Sequence, residues 1–190
     1  PDVVADDAKA GVALRSGKNS SMRKAIEAVR EGRADGVVSA GNTGALMAMS
    51  KLVLRTLPGI DRPAMASFFP TAKGESVMLD LGANIECDSE NLVQFAIMGE
   101  LFARTVLGSL EPSVGLLNVG SEEAKGNSTI RDANAILRSG KFPMNYHGFI
   151  EGDDIAKGTV DVVVADGFSG NIALKTAEGT AVLIGEFVRQ

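Results

Sequence analysis

Glycines and short polar side chains recur together in this chain where predicted strands end, and such residues can bind an anion. One such turn, Ser39-Ala40-Gly41-Asn42-Thr43-Gly44, follows the apolar pair Val37-Val38 and precedes the helix-forming residues 45–49. Asn42 or Thr43 can cap that helix, which leaves other amide N–H groups unpaired and open to an anion. The stretch therefore predicts a strand, a turn and a helix start, either as an anion-binding turn or only as a well-capped connection.

Three further turns have the same character, and each combines glycine with Asn, Ser or Asp. They are Leu81-Gly82-Ala83-Asn84, Asn118-Val119-Gly120-Ser121 and Asp166-Gly167-Phe168-Ser169-Gly170-Asn171. Each follows an apolar run that predicts a buried strand. Ligands of open α/β sheets bind outside the carboxyl ends of the strands, so we expect these turns to lie at one edge and to form one site.

A few cations stand near these turns. Lys125 precedes Gly126 and Asn127 in a predicted strand-end loop, Lys175 follows the start of the last helix, and Lys18 and Arg23 flank Ser20-Ser21. Lysines are usually solvated surface charges, but the glycine and asparagine after Lys125 favour a role in binding. Glycine amides, Asn side chains and a lysine suit a phosphate-bearing substrate and a developing oxyanion.

Other kinds of chemistry are poorly supported by the sequence. A Ser-His-Asp triad would have to use the single histidine, His147, but the sequence contains no Gly-x-Ser-x-Gly motif for the nucleophile. Cys87 stands between Glu86 and Asp88, and these acidic neighbours disfavour a reactive thiolate. The aspartates have no metal-ligand spacing, so we predict no metal and no cofactor, and Asp161 and Asp166 are expected to make strand-end hydrogen bonds. A net charge of −5 disfavours general nucleic-acid binding, and no apolar run is long enough to span a bilayer.

The elements that must position these residues alternate between strands and helices. Near-continuous apolar strands, such as residues 160–165, predict an α/β fold with a mostly parallel sheet and helices on both faces. Residues 64–69 and 76–81 predict a short antiparallel hairpin. We predict a single α/β domain over residues 1–190. Because the chain opens without Met and ends within a helical pattern, we expect it to be a piece of a longer protein.

Together these motifs resemble the PlsX family of phosphate acyltransferases of bacterial phospholipid synthesis. The resemblance covers essentially the whole chain, except that the family's opening Asp-Ala-Met-Gly-Gly-Asp segment and its continuation past the last helix are missing. It is carried by Ser20-Ser21-Met22, Ser39 to Ala45, Pro58-Gly59-Ile60-Asp61-Arg62-Pro63, Asp80-Leu81-Gly82-Ala83-Asn84, Leu92-Val93-Gln94-Phe95-Ala96, Gly115-Leu116-Leu117-Asn118-Val119-Gly120, Lys125-Gly126-Asn127, Asp166 to Asn171 and Ala173-Leu174-Lys175.

The resemblance implies a reaction, a fold and a setting. A long-chain acyl group would move from acyl carrier protein to inorganic phosphate, giving acyl phosphate without a cofactor. The implied fold is a three-layer α/β/α sheet related to isocitrate and isopropylmalate dehydrogenases and to phosphate acetyltransferases. The implied protein is a cytoplasmic homodimer with peripheral membrane contact. Phosphate is already a nucleophile, so the enzyme would need to position it beside the thioester and stabilise the oxyanion.

On this basis we assign hypothetical roles to residues. Lys125 and Asn171 are predicted to be catalytic, with Lys125 and the amides of residues 41–44 on phosphate and Asn171 facing the carbonyl oxygen or the pantetheine arm. Arg15, Lys18 and Arg23 are candidates for docking the acidic carrier protein. The predicted substrate-binding residues are Ser39, Gly41, Asn42, Thr43, Gly44, Asn84, Asn118, Gly126, Asn127, Asp166, Gly167, Gly170 and Lys175.

Three alternatives stay open from the sequence. A phosphate acetyltransferase or butyryltransferase would use the same chemistry with coenzyme A as the acyl carrier. A metal- and NAD-dependent decarboxylating dehydrogenase shares the broad fold but needs an Asp-rich metal site. A non-enzymatic scaffold for lipid synthesis at the membrane surface would bind lipid without turnover.

Overall fold

A computed structural model describes residues 2–189 of the chain. The chain divides into two compact units, the first ending at Pro63 and the second beginning at Ala64.

The first unit is helical. It contains α1 (Ala10–Ser16), a 3-10 turn (Gly17–Asn19), α2 (Ser21–Arg30) and α3 (Thr43–Leu54). Ser20 caps α2 by accepting a hydrogen bond from the Arg23 N–H (3.2 Å). Its small core is formed by Ala13, Met22, Ile26, Ala45, Met49 and Val53.

The predicted strand at Val37-Val38 is wrong. Both residues lie in irregular backbone, and within residues 2–189 no strand pairs with them. Val37 packs against the small core, whereas Val38 is fully exposed. β-branched side chains favour extended backbone, but a strand also needs a neighbouring edge for its hydrogen bonds, and the local sequence cannot supply one.

The second unit alternates strands and helices. Its strands are β1 (Ala66–Thr71), β2 (Gly74–Leu79), β3 (Ser113–Leu117), β4 (Asn145–Ile150) and β5 (Val162–Val164). Its helices are α4 (Ser89–Phe102), which continues into a π-helical turn (Ala103–Leu107), α5 (Ser128–Arg138), α6 (Gly152–Lys157) and α7 (Gly167–Val188). Helix α6 was not predicted from the sequence.

The five strands form one mixed sheet in the order β1-β2-β5-β3-β4. β1 and β2 form an antiparallel hairpin, and the pairs β2–β5, β5–β3 and β3–β4 are parallel. Helices α4 and α5 pack on one face, and α6 and α7 contribute to the core of the other. The predicted α/β class, mostly parallel sheet and antiparallel hairpin are confirmed.

The short central strand β5 is buried on both faces of the sheet. Val162 and Val164 belong to the core under α4 and α5, whereas Val163 belongs to the opposite core. Just before β5, the Asp161 carboxylate accepts hydrogen bonds from the N–H (2.7 Å) and hydroxyl (2.6 Å) of Ser113 at the start of β3. This confirms the predicted strand-end hydrogen bonding by Asp161, which helps fix the register of β5 against β3.

Candidate active site

Three of the four predicted turns meet at one edge of the sheet. They follow β2, β5 and β3, which are neighbours in the sheet and run parallel. The carboxyl ends of these strands therefore bring the Asn84, Asp166 and Asn118 turns to the same edge, as predicted. The fourth turn, residues 39–44, belongs to the first unit and is described separately below.

The turn after β2 is organised by Asp80, which is completely buried. Its Oδ1 accepts the N–H groups of Met65 (2.9 Å) and Ala83 (3.1 Å). Its Oδ2 accepts both the backbone N–H (2.7 Å) and the side-chain Nδ2 (2.8 Å) of Asn84. One carboxylate thus holds the turn in a single conformation, and the Asn84 amide is oriented by protein rather than left free for a ligand.

Helix α7 begins against this turn, with almost no space between them. The Gly167 N–H donates to the Asn84 carbonyl (2.8 Å), and a Cβ on Gly167 would lie only 2.6 Å from that oxygen. A Cβ on Gly170 would overlap the carbonyl oxygen of Asp80. Asp166 caps the helix through the Ser169 N–H (2.8 Å). The two glycines therefore serve close packing of α7 on the β2 turn.

Asn171, predicted to be catalytic, ties α7 to the same turn. Its Nδ2 donates to the Leu81 carbonyl (3.0 Å) and lies 3.1 Å from where a Cβ on Gly82 would stand. Gly82 has a φ of +124°, which is accessible mainly to glycine. The contact gives Asn171 a positioning role between helix and turn. Its predicted role at a carbonyl oxygen stays a prediction.

The loop after β3 presents Lys125. The buried Asn118 holds this loop, because its Nδ2 donates to the Lys125 carbonyl (3.2 Å) and its Oδ1 accepts the Val119 N–H (2.9 Å). Gly126 has a φ of +86°, and a Cβ there would overlap the Asn118 Oδ1. Lys125 is exposed, and within residues 2–189 its ammonium group makes no ion pair.

A second cation, not anticipated from the sequence, joins the Lys125 loop. The Arg131 guanidinium, one turn into α5, donates to the Gly126 carbonyl. Asn127 caps α5 through the Ile130 N–H (2.9 Å). Arg131 was missed because it lies in an ordinary helical stretch. The available signal was its i+4 spacing from Asn127, which places it over the first turn of α5.

A cleft of about 400 Å³ opens beside these turns. It is bordered by residues at or next to the starts of α4, α5 and α7, including Cys87, Asn127 and Asp166. Its apolar surface comes from Ile85, Leu92, Ile130 and Phe168, and its other lining residues are Glu86, Thr129 and Ser169. Of the lining residues, Asn127 and Asp166 are predicted binding residues, whereas Ile85 and Phe168 are not.

The turn at residues 39–44 is a well-formed helix cap within the first unit. Asn42 caps α3 by accepting the Ala45 N–H (2.8 Å), and its Nδ2 donates to the carbonyls of Asp6 (2.7 Å) and Ala8 (3.1 Å). Ser39 accepts the Gly41 N–H (3.2 Å). The predicted cap is confirmed. The exposed Thr43 and Gly44 lie in the first helical turn, and anion binding by their amides stays a prediction.

The predicted docking cations differ in how free they are. Arg15 and Lys18 are exposed and make no ion pair among residues 2–189. Arg23 is half-buried and paired with Glu27 (2.8 Å), which neutralises much of its charge. In the second unit, Lys175 pairs with Glu178 (2.7 Å) on the exposed side of α7 and does not line the cleft.

No metal centre is found in the part of the chain that the structure describes, where no three His, Cys, Asp or Glu side chains are grouped to hold an ion. Likewise, none of the described helices combines the length and hydropathy needed to cross a bilayer.

All 190 residues match the sequence family described as "Fatty acid synthesis protein". The chain belongs to this family. Its resemblance to the PlsX phosphate acyltransferases is thereby confirmed. One relative named phosphate acyltransferase, from Rhodospirillum centenum, is 71% identical over the whole of this chain, which covers 54% of that relative's length. Another, from Rhodospirillum rubrum, is 63% identical over 98% of this chain, and the match covers 53% of that relative's length. The chain spans about half the length of the curated relatives it matches.

Solved structures similar to this family member support the fold. The EutD phosphotransacetylase from Staphylococcus aureus superposes with a TM-score of 0.65 at 21% identity, over 86% of this chain and 56% of that one. A phosphotransacetylase from Streptococcus pyogenes gives a TM-score of 0.67 at 20% identity, over 84% of this chain and 55% of that one. At this level of identity the likeness establishes the shared α/β architecture alone.

Proposed function

We propose that the protein transfers a long-chain acyl group from acyl carrier protein to inorganic phosphate, yielding acyl phosphate for phospholipid synthesis. The observation that carries this proposal is the 71% identity, over all 190 residues, to the phosphate acyltransferase of Rhodospirillum centenum. The strand-end turns around an open cleft support it, because they place polar groups where open α/β sheets bind ligands.

The proposed reaction needs no nucleophilic side chain of the protein, because phosphate is the nucleophile. A phosphate oxygen attacks the thioester carbonyl carbon, and the tetrahedral intermediate collapses by breaking the C–S bond. The thiol of the carrier leaves with a proton, and the phosphate keeps the acyl group. Positioning two bound reactants and stabilising the oxyanion can supply most of the acceleration. In this proposal Lys125 and Arg131 attract phosphate, while the turns after β2 and β5 flank the acyl donor.

Replacing Lys125 by Ala is expected to raise the KM for phosphate about 10- to 100-fold, because a charge-assisted hydrogen bond contributes roughly 1.5–3 kcal/mol. Acyl phosphate formation at increasing phosphate measures this. Lys73→Ala is the matched control, since Lys73 is also exposed but stands in the β1–β2 turn, at the opposite end of β2. Unchanged phosphate saturation in Lys125→Ala would remove Lys125 from the role.

The acyl donor is tested by comparing thioesters of acyl carrier protein and coenzyme A. A phosphate acetyltransferase or butyryltransferase acting on coenzyme A is the second candidate, favoured by the architecture shared with phosphotransacetylases.

We expect Arg15→Glu combined with Lys18→Glu to raise the KM for acyl carrier protein about tenfold, since each reversed surface charge costs up to about 1 kcal/mol. The coenzyme A reaction is the internal control. An equal loss with both donors would contradict carrier docking at these residues.

We also propose that the protein acts as a cytoplasmic homodimer in peripheral contact with the membrane. Support for this comes from the family resemblance alone.

A further inference from the structure

The cleft beside the carboxyl ends of β2 and β5 has an apolar surface that phosphate binding does not need. Leu92 and Ile130 belong to or pack against the main core. Ile85 and Phe168 line the same cleft, yet each remains 58% exposed to solvent. Large apolar side chains exposed inside a cleft of this size are typical of surfaces that a ligand covers.

Phe168 is held in place by its backbone on both sides. It is the second residue of α7, between Gly167, which donates to the Asn84 carbonyl (2.8 Å), and Ser169, whose N–H donates to the Asp166 carboxylate (2.8 Å). Two residues later, Gly170 packs against the Asp80 backbone. The ring therefore meets the cleft from a rigid support, and a ligand would not have to order this segment on binding.

The two cations proposed to bind phosphate lie outside the cleft. Glu86 and Asp166 both line the cleft, and neither Lys125 nor Arg131 does. A hydrocarbon chain carries no charge and needs neither cation, so the cleft can offer it apolar surface. Asn127 lines the cleft two residues after Lys125, so the cleft is adjacent along the chain to the loop proposed for phosphate.

We propose that this cleft binds the acyl chain next to the reacting carbonyl, and that Phe168 and Ile85 set the preference for long chains. This assignment rests on the proposed function, because it takes the acyl group as the substrate. It differs from that function in naming which surface binds the hydrocarbon and which residues discriminate chain length.

The first test is the chain-length profile of Phe168→Ala, measured with thioesters from butyryl to palmitoyl. An acyl chain that covers about half of the Phe168 ring can gain roughly tenfold in affinity from that contact. In Phe168→Ala, kcat/KM should therefore fall about tenfold for long-chain thioesters and little for butyryl thioesters. Phe187→Ala is the matched control, since Phe187 lies in the same helix at 63% exposure and outside the cleft. A uniform loss at all chain lengths, or an unchanged profile, would overturn the assignment.

The second test needs no turnover, because Cys87, the single cysteine of the sequence, lines the cleft. The reaction measured is alkylation of Cys87 by N-ethylmaleimide, followed by mass spectrometry of the Cys87 peptide. Laurate, kept below its critical micelle concentration, should slow this alkylation about threefold when its concentration is twice its Kd for the protein. Acetate, which has the same headgroup, should not. Protection should be lost in Phe168→Ala and kept in Phe187→Ala.

These two tests distinguish the assignment from the function on which it rests. Protection by laurate without any acyl phosphate formation would reject the proposed function and leave the cleft as a hydrocarbon site. Acyl phosphate formation with equal effects of laurate and acetate would reject the cleft assignment and leave the proposed function intact.

Discussion

Gly170→Ala is expected to destabilise the protein by about 3 kcal/mol, the upper end of what inserting a methyl group into tightly packed structure usually costs. The added methyl group would overlap the backbone carbonyl oxygen of Asp80, which is itself fixed at the end of β2. Backbone cannot move aside as a flexible side chain can, so α7 would have to shift away from the sheet. Urea unfolding followed by far-UV circular dichroism measures the loss.

The control for Gly170→Ala is Gly179→Ala, nine residues later in the same helix. A Cβ at Gly179 would meet no atom within 4 Å, and the position is exposed. There the substitution should stabilise the protein by about 0.5–1 kcal/mol, because alanine loses less backbone entropy than glycine in a helix. Equal stabilities for the two variants would contradict the tight contact between α7 and the β2 turn.

Asp80→Ala should destabilise the protein by on the order of 3–5 kcal/mol. Four N–H groups lose their acceptor in this variant, and each buried donor left unpaired costs about 1–3 kcal/mol, partly relieved by water entering the space. The turn that orients Asn84 and receives Gly167 would also lose its fixed conformation. Acyl phosphate formation should therefore fall together with the free energy of unfolding.

Two further variants sharpen the test of Asp80. Asp80→Asn keeps the size of the side chain but replaces one acceptor oxygen by an amide NH2 group that faces N–H donors, so its free energy of unfolding should fall between those of the wild type and Asp80→Ala. Asp132→Ala removes an exposed aspartate from α5 and should change the stability by less than about 0.5 kcal/mol. A loss in Asp132→Ala as large as in Asp80→Ala would show that the effect is not local to the turn.

The sequence predicted most of what depends on neighbours along the chain. The helix cap at Asn42 and the glycine turns after three strands follow from local chemistry, and the structure confirms them. The strand at Val37-Val38 failed because pairing depends on a partner edge. Apolar, β-branched residues favour a strand but do not supply its neighbour.

The candidate site was less predictable, because contacts between distant segments decide what each polar side chain is free to do. Asn171 looks like a ligand-binding amide in sequence, yet its amide group donates to the Leu81 carbonyl, 90 positions earlier in the chain. Phe168 stands in a predicted turn, but the sequence does not indicate that its side chain is exposed in a cleft. The spacing of residues along the chain does not indicate a contact between positions as far apart as Asn171 and Leu81.

The position of β5 in the sheet has a consequence for biosynthesis. β2 and β3 follow one another along the chain but are not paired, because β5, the last of the five strands to be translated, lies between them. Until Val164 has emerged from the ribosome, both strands have an open inner edge and the sheet cannot close. Non-local pairing of this kind folds slowly and leaves apolar edges open to aggregation. The nascent chain therefore passes through a stage in which chaperone protection of these edges would matter most.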